Sequence, residues 1–518
     1  MAKNKAISRR SFIEKLAAGG GLAASSVLLG ASAGRAQVPV TKTVLSAADF
    51  SYVGAFRLPF SVNNQDAGYG RGLTHRYLNG ELRFLTTTLP TNVYEVAFPG
   101  TTVNPPYPLA QTARYWGDVY QGKRFLDGGN RESGAWGIYW DAPDNRLYWS
   151  YGDGYNTVSA NDPSIGYSTL NEANGTSAAV GAWRFSGRGC KATMGGITPI
   201  PQWFADQYCG GRRLGAGFGG YFSIVAVGPA HLGPALCAFA PPNLSVNPNL
   251  SALPFNDLVG YPFNPTPYTT PDRCHRDTDY TNEFDFWNPR NGIGYFSWTD
   301  YIWQGGIWID TPTKHGLMYF PTLGNGRTFY QNSTLNAERA SHWWMVYDPN
   351  DLAQVARGEK QQWEIQPRNS WKVVYPGLSD PLPGWADEPK NMITGVTFDQ
   401  TTGRLYIAVR FGWATGGAGE NGHTIYVYQV NLTSAAAVSL SGRVTRIGGR
   451  GVAAARLSLT NANGERRVAL TNGFGYYRFQ NVPTGAAYAL AARHKLYSFN
   501  PNQRTLTPSA DVGNLDFS

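Results

Sequence analysis

One recurring unit constrains the fold of this 518-residue chain more than any other feature of the sequence. The unit consists of a glycine, a short apolar stretch, a polar turn and a second apolar stretch. Gly137, with Asp141 four residues later and Leu147-Tyr148 at the end, illustrates the spacing. Two short apolar stretches around a polar turn are typical of a β-hairpin. Four copies are clear, with one inserted residue in the third, and a fifth is weaker: 72–84, 137–148, 306–319, 395–406 and 221–239.

Further apolar segments follow most of these hairpins and predict a third strand in each unit. These segments are 92–98, 180–185, 341–347 and 424–430, and more variable candidates for a fourth strand lie at 112–120 and 370–375. Four-stranded units that recur along a chain form a β-propeller, whose radial repetition protects the sheet edges. The segment Tyr52–Phe56 precedes the first full unit and would complete the last one, which closes the ring.

The predicted fold is therefore all-β, a β-propeller followed by a small β-sandwich. Five blades fit the sequence best. Six or seven blades also fit, because residues 240–295 show no clear strand register. The alternative for the body is a sandwich or β-helix. The composition, with 61 Gly, 33 Pro and only 15% charged residues, favours short strands joined by many turns in any of these folds.

The N-terminus carries an export signal. Arg9-Arg10 lies ahead of Phe12, an uncharged run rich in Ala, Gly and Leu follows, and small residues end at Ala36. This order predicts a signal peptide over 1–36, and the paired arginines resemble the twin-arginine signal, which exports folded proteins. An ordinary secretory signal or a retained anchor is the alternative. The sequence predicts a periplasmic or secreted protein with no transmembrane segment after cleavage.

The positive charge lies mostly in the signal and the tail. The formal net charge is +9, and the predicted cleavage removes six basic residues and one acidic residue, a net charge of +5, which leaves about +4. From Val438 onward ten Lys or Arg face three acidic residues, so the tail is about +7 and the body about −3. The basic balance therefore gives no support for nucleic-acid binding.

The tail has an ordered pattern of short strands and turns. Leu440–Thr445, Ala455–Thr460, Thr471–Phe479 and Asn481–Gly485 follow one another, with the tight turn Asn463-Gly464 between the second and the third. Over about 80 residues this order resembles the carboxypeptidase regulatory-like family, a transthyretin-like seven-stranded sandwich. The resemblance implies an accessory or surface module and not a peptidase. The predicted domains are 1–36, 37–434 for the propeller and 435–518 for the sandwich.

The body also opens on Tyr52–Pro59, which resembles a segment of secreted bacterial propeller proteins without a known activity. That resemblance implies no activity.

The sequence contains four cysteines: Cys190, Cys209, Cys237 and Cys274. They permit two disulfides in three connectivities. The alternative is four buried thiols, since a protein that folds before export begins in a reducing compartment.

Polar residues concentrate just before the first glycine of each unit, where loops enter the innermost strands of a propeller. These positions are 66–71, 130–133, 212–213, 303–304 and 387–390. They supply Tyr69, Arg71, Arg131, Glu132 and Glu388 as candidate catalytic residues. Asp387 and Trp303 from the same loops, and Asp153 and Trp413 from loops between second and third strands, are candidate substrate-binding residues. Aromatic faces beside charged groups suit sugars.

His75-Arg76 is the one clear irregularity of the repeat. The other clear copies hold an apolar residue and Asp at these positions, as in Trp140-Asp141 and Phe398-Asp399. Local rules tend to break at functional sites, so we expect His75 to be catalytic and Arg76 to bind substrate. The alternative is a packed core histidine beside an arginine that caps the sheet.

Two mechanisms fit a polysaccharide or cell-surface glycan. In a lyase, Arg71 or Arg131 would neutralise a uronate carboxylate while His75 or Tyr69 abstracts the neighbouring proton. In a hydrolase, Glu132 would pair with Glu388 or Asp387 across the scissile bond. The main alternative is a non-catalytic propeller that binds carbohydrate or a surface, and the sequence does not decide whether the protein is an enzyme. The sequence leaves open whether the protein binds Ca²⁺ or another metal, and it shows no set of ligands for one. It also leaves the oligomeric state open.

Overall fold

The structure is a computed structural model that describes residues 42–68, 70–88, 92–124, 134–152, 163–188, 190–218, 234–242, 252–261, 305–311, 313–331, 334–378, 391–414, 421–431, 437–461, 466–484 and 487–518. Strands dominate these residues, and the two α-helices among them are short: α1 (Gln202–Tyr208) and α2 (Pro349–Ala356). No helix in this part of the chain is long and apolar enough to cross a bilayer.

The chain first forms four strands near its N-terminus, which are β1 (Thr43–Val44), β2 (Phe50–Arg57), β3 (Ser61–Val62) and β4 (Gln65–Asp66). Blade 1 consists of β5 (Leu73–Leu78), β6 (Glu81–Thr87), β7 (Val93–Ala97) and β8 (Thr112–Gly117). Blade 2 consists of β9 (Gly134–Asp141), β10 (Arg146–Gly152), β11 (Ile165–Asn171) and β12 (Thr176–Phe185).

Blade 3 consists of β13 (Gly196–Pro199), β14 (Leu214–Phe218), β15 (Ala235–Phe239) and β17 (Phe255–Val259), while the short β16 (Ala252–Leu253) pairs with β12. Blade 4 consists of β18 (Ile307–Asp310), β19 (Lys314–Tyr319), β21 (Thr334–Tyr347) and β22 (Asn369–Val373), and β1 and β20 (Thr322–Gln331) extend it. Blade 5 consists of β23 (Ile393–Asp399), β24 (Arg404–Ala414), β25 (Asn421–Val430) and the N-terminal β2.

The innermost strands β5, β9, β13, β18 and β23 pack against one another in a closed circle. Strand β2 closes the ring because it pairs antiparallel with β25, from Phe50 opposite Val430 to Arg57 opposite Thr424. The described residues of the body therefore form a five-bladed β-propeller, which confirms the predicted propeller and the role predicted for Tyr52–Phe56. The candidate fourth strands at 112–120 and 370–375 are confirmed as β8 and β22.

The predicted register of blade 3 is wrong. Its inner strand is β13, only four residues long and ended by Pro199, and helix α1 lies between β13 and β14. This insertion breaks the hairpin spacing, so the weak copy at 221–239 coincides with the described structure only in β15. The third strand predicted at 180–185 is also wrong, because it belongs to β12, the fourth strand of blade 2.

Aromatic side chains fill the spaces between neighbouring blades. Phe84 of blade 1 meets Tyr406 of blade 5 with ring centroids 4.7 Å apart, and Trp344 of blade 4 meets Tyr428 of blade 5 at 4.8 Å. Edge-to-face pairs at such distances add to the stabilisation from buried area. Many of the described aromatic residues of the body thus belong to its core, as is usual where sheets pack face to face.

Of the four cysteines, three lie in described residues, and all three are buried: Cys190, Cys209 and Cys237. Cys209 and Cys237 are free thiols. For Cys209 and Cys237 the alternative of buried thiols is therefore confirmed. Cys274 lies outside the described residues.

The tail forms two small sheets. One pairs β26 (Ala437–Arg443) with β29 (Tyr476–Pro483), and the other has the order β28 (Arg466–Leu470), β27 (Arg456–Asn461), β30 (Tyr488–Arg493) and β31 (Gln503–Leu506). Alternate residues of both sheets, such as Leu440, Leu457 and Phe479, share one buried core. This is the predicted β-sandwich, while the predicted domain bounds and the carboxypeptidase regulatory-like family stay predictions.

Candidate functional site

A ring of glycines narrows the propeller axis, formed by Gly72, Gly137, Gly196, Gly305 and Gly395 (the glycine ring). A Cβ on Gly137 would lie 2.4 Å from the Cα of Gly196, and one on Gly395 would lie 2.6 Å from the Leu73 nitrogen. Glycine is needed there because no side chain fits between backbones that approach this closely. The space at this level is about 20 Å³, room for about one water molecule.

A pocket of about 300 Å³ opens on one side of the glycine ring, where the inner strands turn into the second strands. We call it the axial pocket. The first apolar residue after each ring glycine lines both the narrow space and the pocket, so these residues form its apolar floor: Leu73, Ile138, Ile197, Ile307 and Val396. Aromatic residues supply much of the wall: Tyr77, Tyr139, Trp140, Trp308 and Phe398.

His75 lines the axial pocket from strand β5. Its Nδ1 lies 2.8 Å from the Thr397 hydroxyl on blade 5, and its Nε2 lies 3.8 Å from Oδ1 of Asp399. The second distance is too long for a hydrogen bond. Burial lowers the pKa of His75 below its usual value, and the opposing effect of the Asp399 charge is smaller. His75 is therefore a neutral imidazole at pH 7.

Asp399 is a buried carboxylate held by three hydrogen bonds. Tyr77 and Thr402 donate their hydroxyls to Oδ2 at 2.8 and 2.6 Å, and the Thr401 amide donates to Oδ1 at 2.8 Å. Burial alone would raise the pKa of Asp399, but these hydrogen bonds and His75 outweigh it and lower the pKa. Such a carboxylate stays ionised and is a poor general acid.

Arg76 also borders the axial pocket, and its guanidinium lies in a buried ion-pair network. It binds Glu95 of blade 1 through Nε and Nη2 at 2.9 and 2.6 Å, and Glu172 of blade 2 through Nη1 at 2.6 Å. The side chain is only 3% exposed and stacks near Trp140, with 4.9 Å between the guanidinium carbon and the ring centroid. These contacts correspond to the alternative of an arginine that fixes the sheet. The substrate-binding role of Arg76 has no support from them.

The repeat position held by Arg76 joins adjacent blades elsewhere too. Asp141, its equivalent on blade 2, accepts two hydrogen bonds from Arg213 of blade 3 at 2.9 and 2.8 Å. At the equivalent position blade 1 has the positively charged Arg76, which pairs with Glu172 of blade 2. Arg213 was expected on the loops that enter the inner strands. This placement is wrong, because Arg213 directly precedes the second strand β14.

Arg71 lies on the other side of the glycine ring from His75. Arg71 precedes Gly72, whereas His75 lies on β5, which begins after that glycine at Leu73. The Arg71 guanidinium carbon lies 3.9 Å from the ring centroid of Trp136, and its amide donates to the Thr87 hydroxyl at 2.8 Å. The structure therefore does not bring Arg71 and His75 to one substrate, as the lyase mechanism with both residues requires.

The remaining predicted site residues lie outside the described part of the chain, and their roles stay predictions: Tyr69, Arg131, Glu132, Asp153, Trp303, Asp387 and Glu388. Trp413 falls within β24, but its side chain is outside the described part. In the described residues, no group of three His, Cys, Asp or Glu side chains is arranged to hold a metal ion.

Sequence reasoning missed the partners of His75 in the axial pocket, namely Tyr77, Thr397 and Asp399. Asp399 accepts the Thr401 amide of the turn that follows β23. The signal that could have found it is its repeat position, because residues at one register of adjacent inner strands meet around the axis. Among the described lining residues, Asp399 is the only carboxylate.

No protein-family model matches the sequence, and a search of curated proteins finds no match. Solved structures are similar at low identity. A GH43_1 enzyme from Xanthomonas citri complexed with xylose is 11% identical, with 72% of this chain and 90% of that chain covered and a TM-score of 0.33. An α-L-arabinofuranosidase from Podospora anserina in complex with cellotriose is 11% identical, with 73% and 97% covered and a TM-score of 0.27.

A third similar structure is the Bacillus anthracis TIE protein, at 14% identity and a TM-score of 0.14, with 22% of this chain covered. This chain spans about a quarter of that protein's length, since 23% of it is covered. The assignment of the propeller rests on the sheet topology of this chain and does not depend on these similarities.

Proposed function

We propose that this chain is an exported carbohydrate-binding propeller and that the axial pocket receives a neutral sugar residue. The observation that carries the proposal is the lining of that pocket. Aromatic walls surround a small group of polar atoms on His75, Thr397 and Asp399, the combination that sugar sites use. Export follows from the predicted signal over 1–36.

The electrostatics of the pocket favour a neutral ligand. Asp399 keeps its negative charge, and the positive charge of Arg76 is already neutralised by Glu95 and Glu172. A sugar hydroxyl can donate to Asp399 and accept from the nearby Nε2 of His75. An acidic sugar would meet this carboxylate while the cation of the described lining, Arg76, is already paired with two glutamates, and is therefore disfavoured.

Catalysis in this pocket has less support than binding. A hydrolase needs two carboxylates, one of them protonated, and the described lining supplies Asp399 alone with a lowered pKa. Proton abstraction next to a uronate needs a cation for its carboxylate, and Arg76 is held by two glutamates. The geometry therefore favours recognition at this end of the axis.

Glycan processing is a second function that we propose, at the opposite end of the axis. Arg71 stacked on Trp136 is the observation that favours it, because an arginine on an aromatic face suits an acidic sugar. A hydrolase there would use Glu132 with Glu388 or Asp387, and a lyase would use Arg71 or Arg131 with Tyr69. His75 belongs to neither version, since the glycine ring separates it from Arg71.

Binding at the axial pocket can be tested by filling it. Ala142 lies in an exposed turn at the pocket, so Ala142→Trp adds bulk without removing a contact of the core. Ala173→Trp adds the same bulk to another exposed turn of blade 2 and serves as the control. Calorimetric titration of the mature protein with neutral oligosaccharides ending in different sugars should find at least one ligand. Ala142→Trp should weaken its binding tenfold or more, and equal binding by both variants would refute the site.

A further inference from the structure

A second, open cleft of about 730 Å³ lies on the tail, away from the residues of the axial pocket. We call it the arginine cleft. Its lining comes from β26, from the end of β28, from the turn before β29, from β29 and from the C-terminal segment, and it includes Arg443, Tyr476, Tyr477, Arg478 and Asp516.

The register of the two-stranded sheet places three chemically distinctive side chains together. Arg443 of β26 lies directly opposite Tyr476 of β29. Arg478 is two residues further along β29, so it shares a face with Tyr476, while Tyr477 between them is turned into the core. An aromatic ring flanked by two arginines therefore faces outward on this sheet.

The Tyr476 ring is available for stacking. The residue is 54% exposed, and the Arg443 guanidinium carbon lies 5.1 Å from its ring centroid. A cation beside an aromatic ring binds through the ring face and keeps the ring oriented. An exposed, oriented tyrosine is a surface on which the apolar face of a pyranose can lie.

The two arginines carry charge that no described carboxylate neutralises. Arg443 donates from Nε to the Phe474 carbonyl at 3.0 Å, and Arg478 donates from Nη2 to the Ser439 hydroxyl at 2.8 Å. Both partners are neutral, and among the described residues neither guanidinium forms an ion pair. Asp516, the one acid of the cleft, accepts the backbone amide of Arg443 at 2.7 Å.

We propose that the arginine cleft binds an acidic polysaccharide, whose uronate carboxylates pair with Arg443 and Arg478 while a sugar ring stacks on Tyr476. Guanidinium groups match carboxylates in a bidentate geometry, which gives more specificity than a diffuse positive field. The surplus of about seven positive charges in the tail would also attract a polyanion over a longer range. The site is independent of the neutral-sugar pocket on the propeller.

The test uses the mature full-length chain with polygalacturonate as the probe, at low and at physiological salt. The double variant Arg443→Gln/Arg478→Gln should weaken binding at least tenfold at low salt. Arg456→Gln/Arg493→Gln removes the same charge from an exposed cross-strand pair outside the cleft and should change binding less than threefold. Tyr476→Ala, which keeps every charge, should weaken binding at least threefold.

Two further ligands separate a sugar site from general attraction. Dextran, a neutral polysaccharide, should not compete, and polyglutamate, a carboxylate polymer without sugar rings, should bind more weakly and be insensitive to Tyr476→Ala. Equal losses in the two double variants would overturn the proposal in favour of a diffuse charge effect. Unchanged binding in all variants would overturn it as well. Neither outcome affects the axial pocket, which Ala142→Trp tests separately.

Discussion

The hydroxyl of Tyr77 on blade 1 donates a 2.8 Å hydrogen bond to Oδ2 of Asp399 on blade 5. This contact crosses the boundary between the first and the last blade of the ring and borders the axial pocket. It stabilises the ionised form of a buried carboxylate and helps to keep the pKa of Asp399 low, while burial and the nearby charge raise the pKa of Tyr77 to about 12. One hydrogen bond therefore affects both the stability of the ring and the chemistry of the pocket.

Removal of the Tyr77 hydroxyl should measurably lower the stability of the fold. We expect Tyr77→Phe to lower the free energy of unfolding at pH 7 by about 1.5–3 kcal/mol, the usual range for a hydrogen bond to a charged group. Urea denaturation of the mature protein measures this. Tyr52→Phe is the matched control, because its hydroxyl reaches the neutral Val103 carbonyl at 3.3 Å near the surface. Equal effects of the two substitutions would show that the Asp399 contact has no special weight.

The buried ion pair of Arg76 makes a second prediction. Arg76→Met would leave Glu95, which is fully buried, without its cation. A buried charge that loses its partner typically costs about 3–5 kcal/mol. We expect this loss in the free energy of unfolding, measured by chemical denaturation.

The double variant Arg76→Met/Glu95→Gln should recover part of that loss, because it removes the uncompensated charge. Its glutamine oxygen can still accept the Trp116 indole N–H, which donates to Glu95 at 3.1 Å. A double variant less stable than Arg76→Met would mean that the contacts of Glu95 with other groups matter more than the pair.

Much of the fold follows from the sequence because the repeat is a local signal. Hairpins such as β5–β6 need only alternating apolar residues and a suitable turn, here Asn79-Gly80, where both residues have positive φ. Ring closure by Tyr52–Phe56 is predictable for the same reason, since a propeller needs its last blade completed. Blade 3 was not predictable, because helix α1 interrupts its spacing.

The candidate site was less predictable, because it depends on distances around the axis. His75 and Arg71 are four residues apart in the chain and were assigned to one mechanism, but the glycine ring lies between them. The sequence does indicate the irregularity at His75-Arg76, but the two residues lie in different environments. Arg76 is explained by the Glu172 pairing with the next blade, whereas His75 faces the pocket.

Two buried histidines predict how stability changes with pH. Burial, together with a nearby cation, lowers the pKa of His342 and of His423 to about 3. The unfolded chain binds these protons near the usual value of 6.5, so the stability that both groups contribute above that pH is lost as the pH falls. Between pH 7 and pH 5 the loss should be about 2 kcal/mol for each histidine.

Urea denaturation at pH 7 and pH 5 measures this loss. The variants His342→Gln and His423→Gln should each reduce the difference between the two pH values, although both lower the stability at pH 7. His494→Gln, in a partly exposed part of the tail, is the control for the replacement of a histidine by glutamine. If all three variants behaved alike, the acid sensitivity would come from other groups.

Activity measurements on variants can show at which end of the propeller axis a reaction takes place. If the chain processes glycans at the end where Arg71 lies, Glu132→Gln or Glu388→Gln should reduce hydrolysis about 10²–10⁴-fold, the usual contribution of an acid–base residue. His75→Ala should change the rate less than about threefold, since the glycine ring separates it from that end. Release of reducing ends from neutral and acidic polysaccharides measures hydrolysis, and ultraviolet absorbance of unsaturated products measures lyase activity. A loss of turnover in His75→Ala, with full activity in both glutamate variants, would place the reaction in the axial pocket and contradict this division.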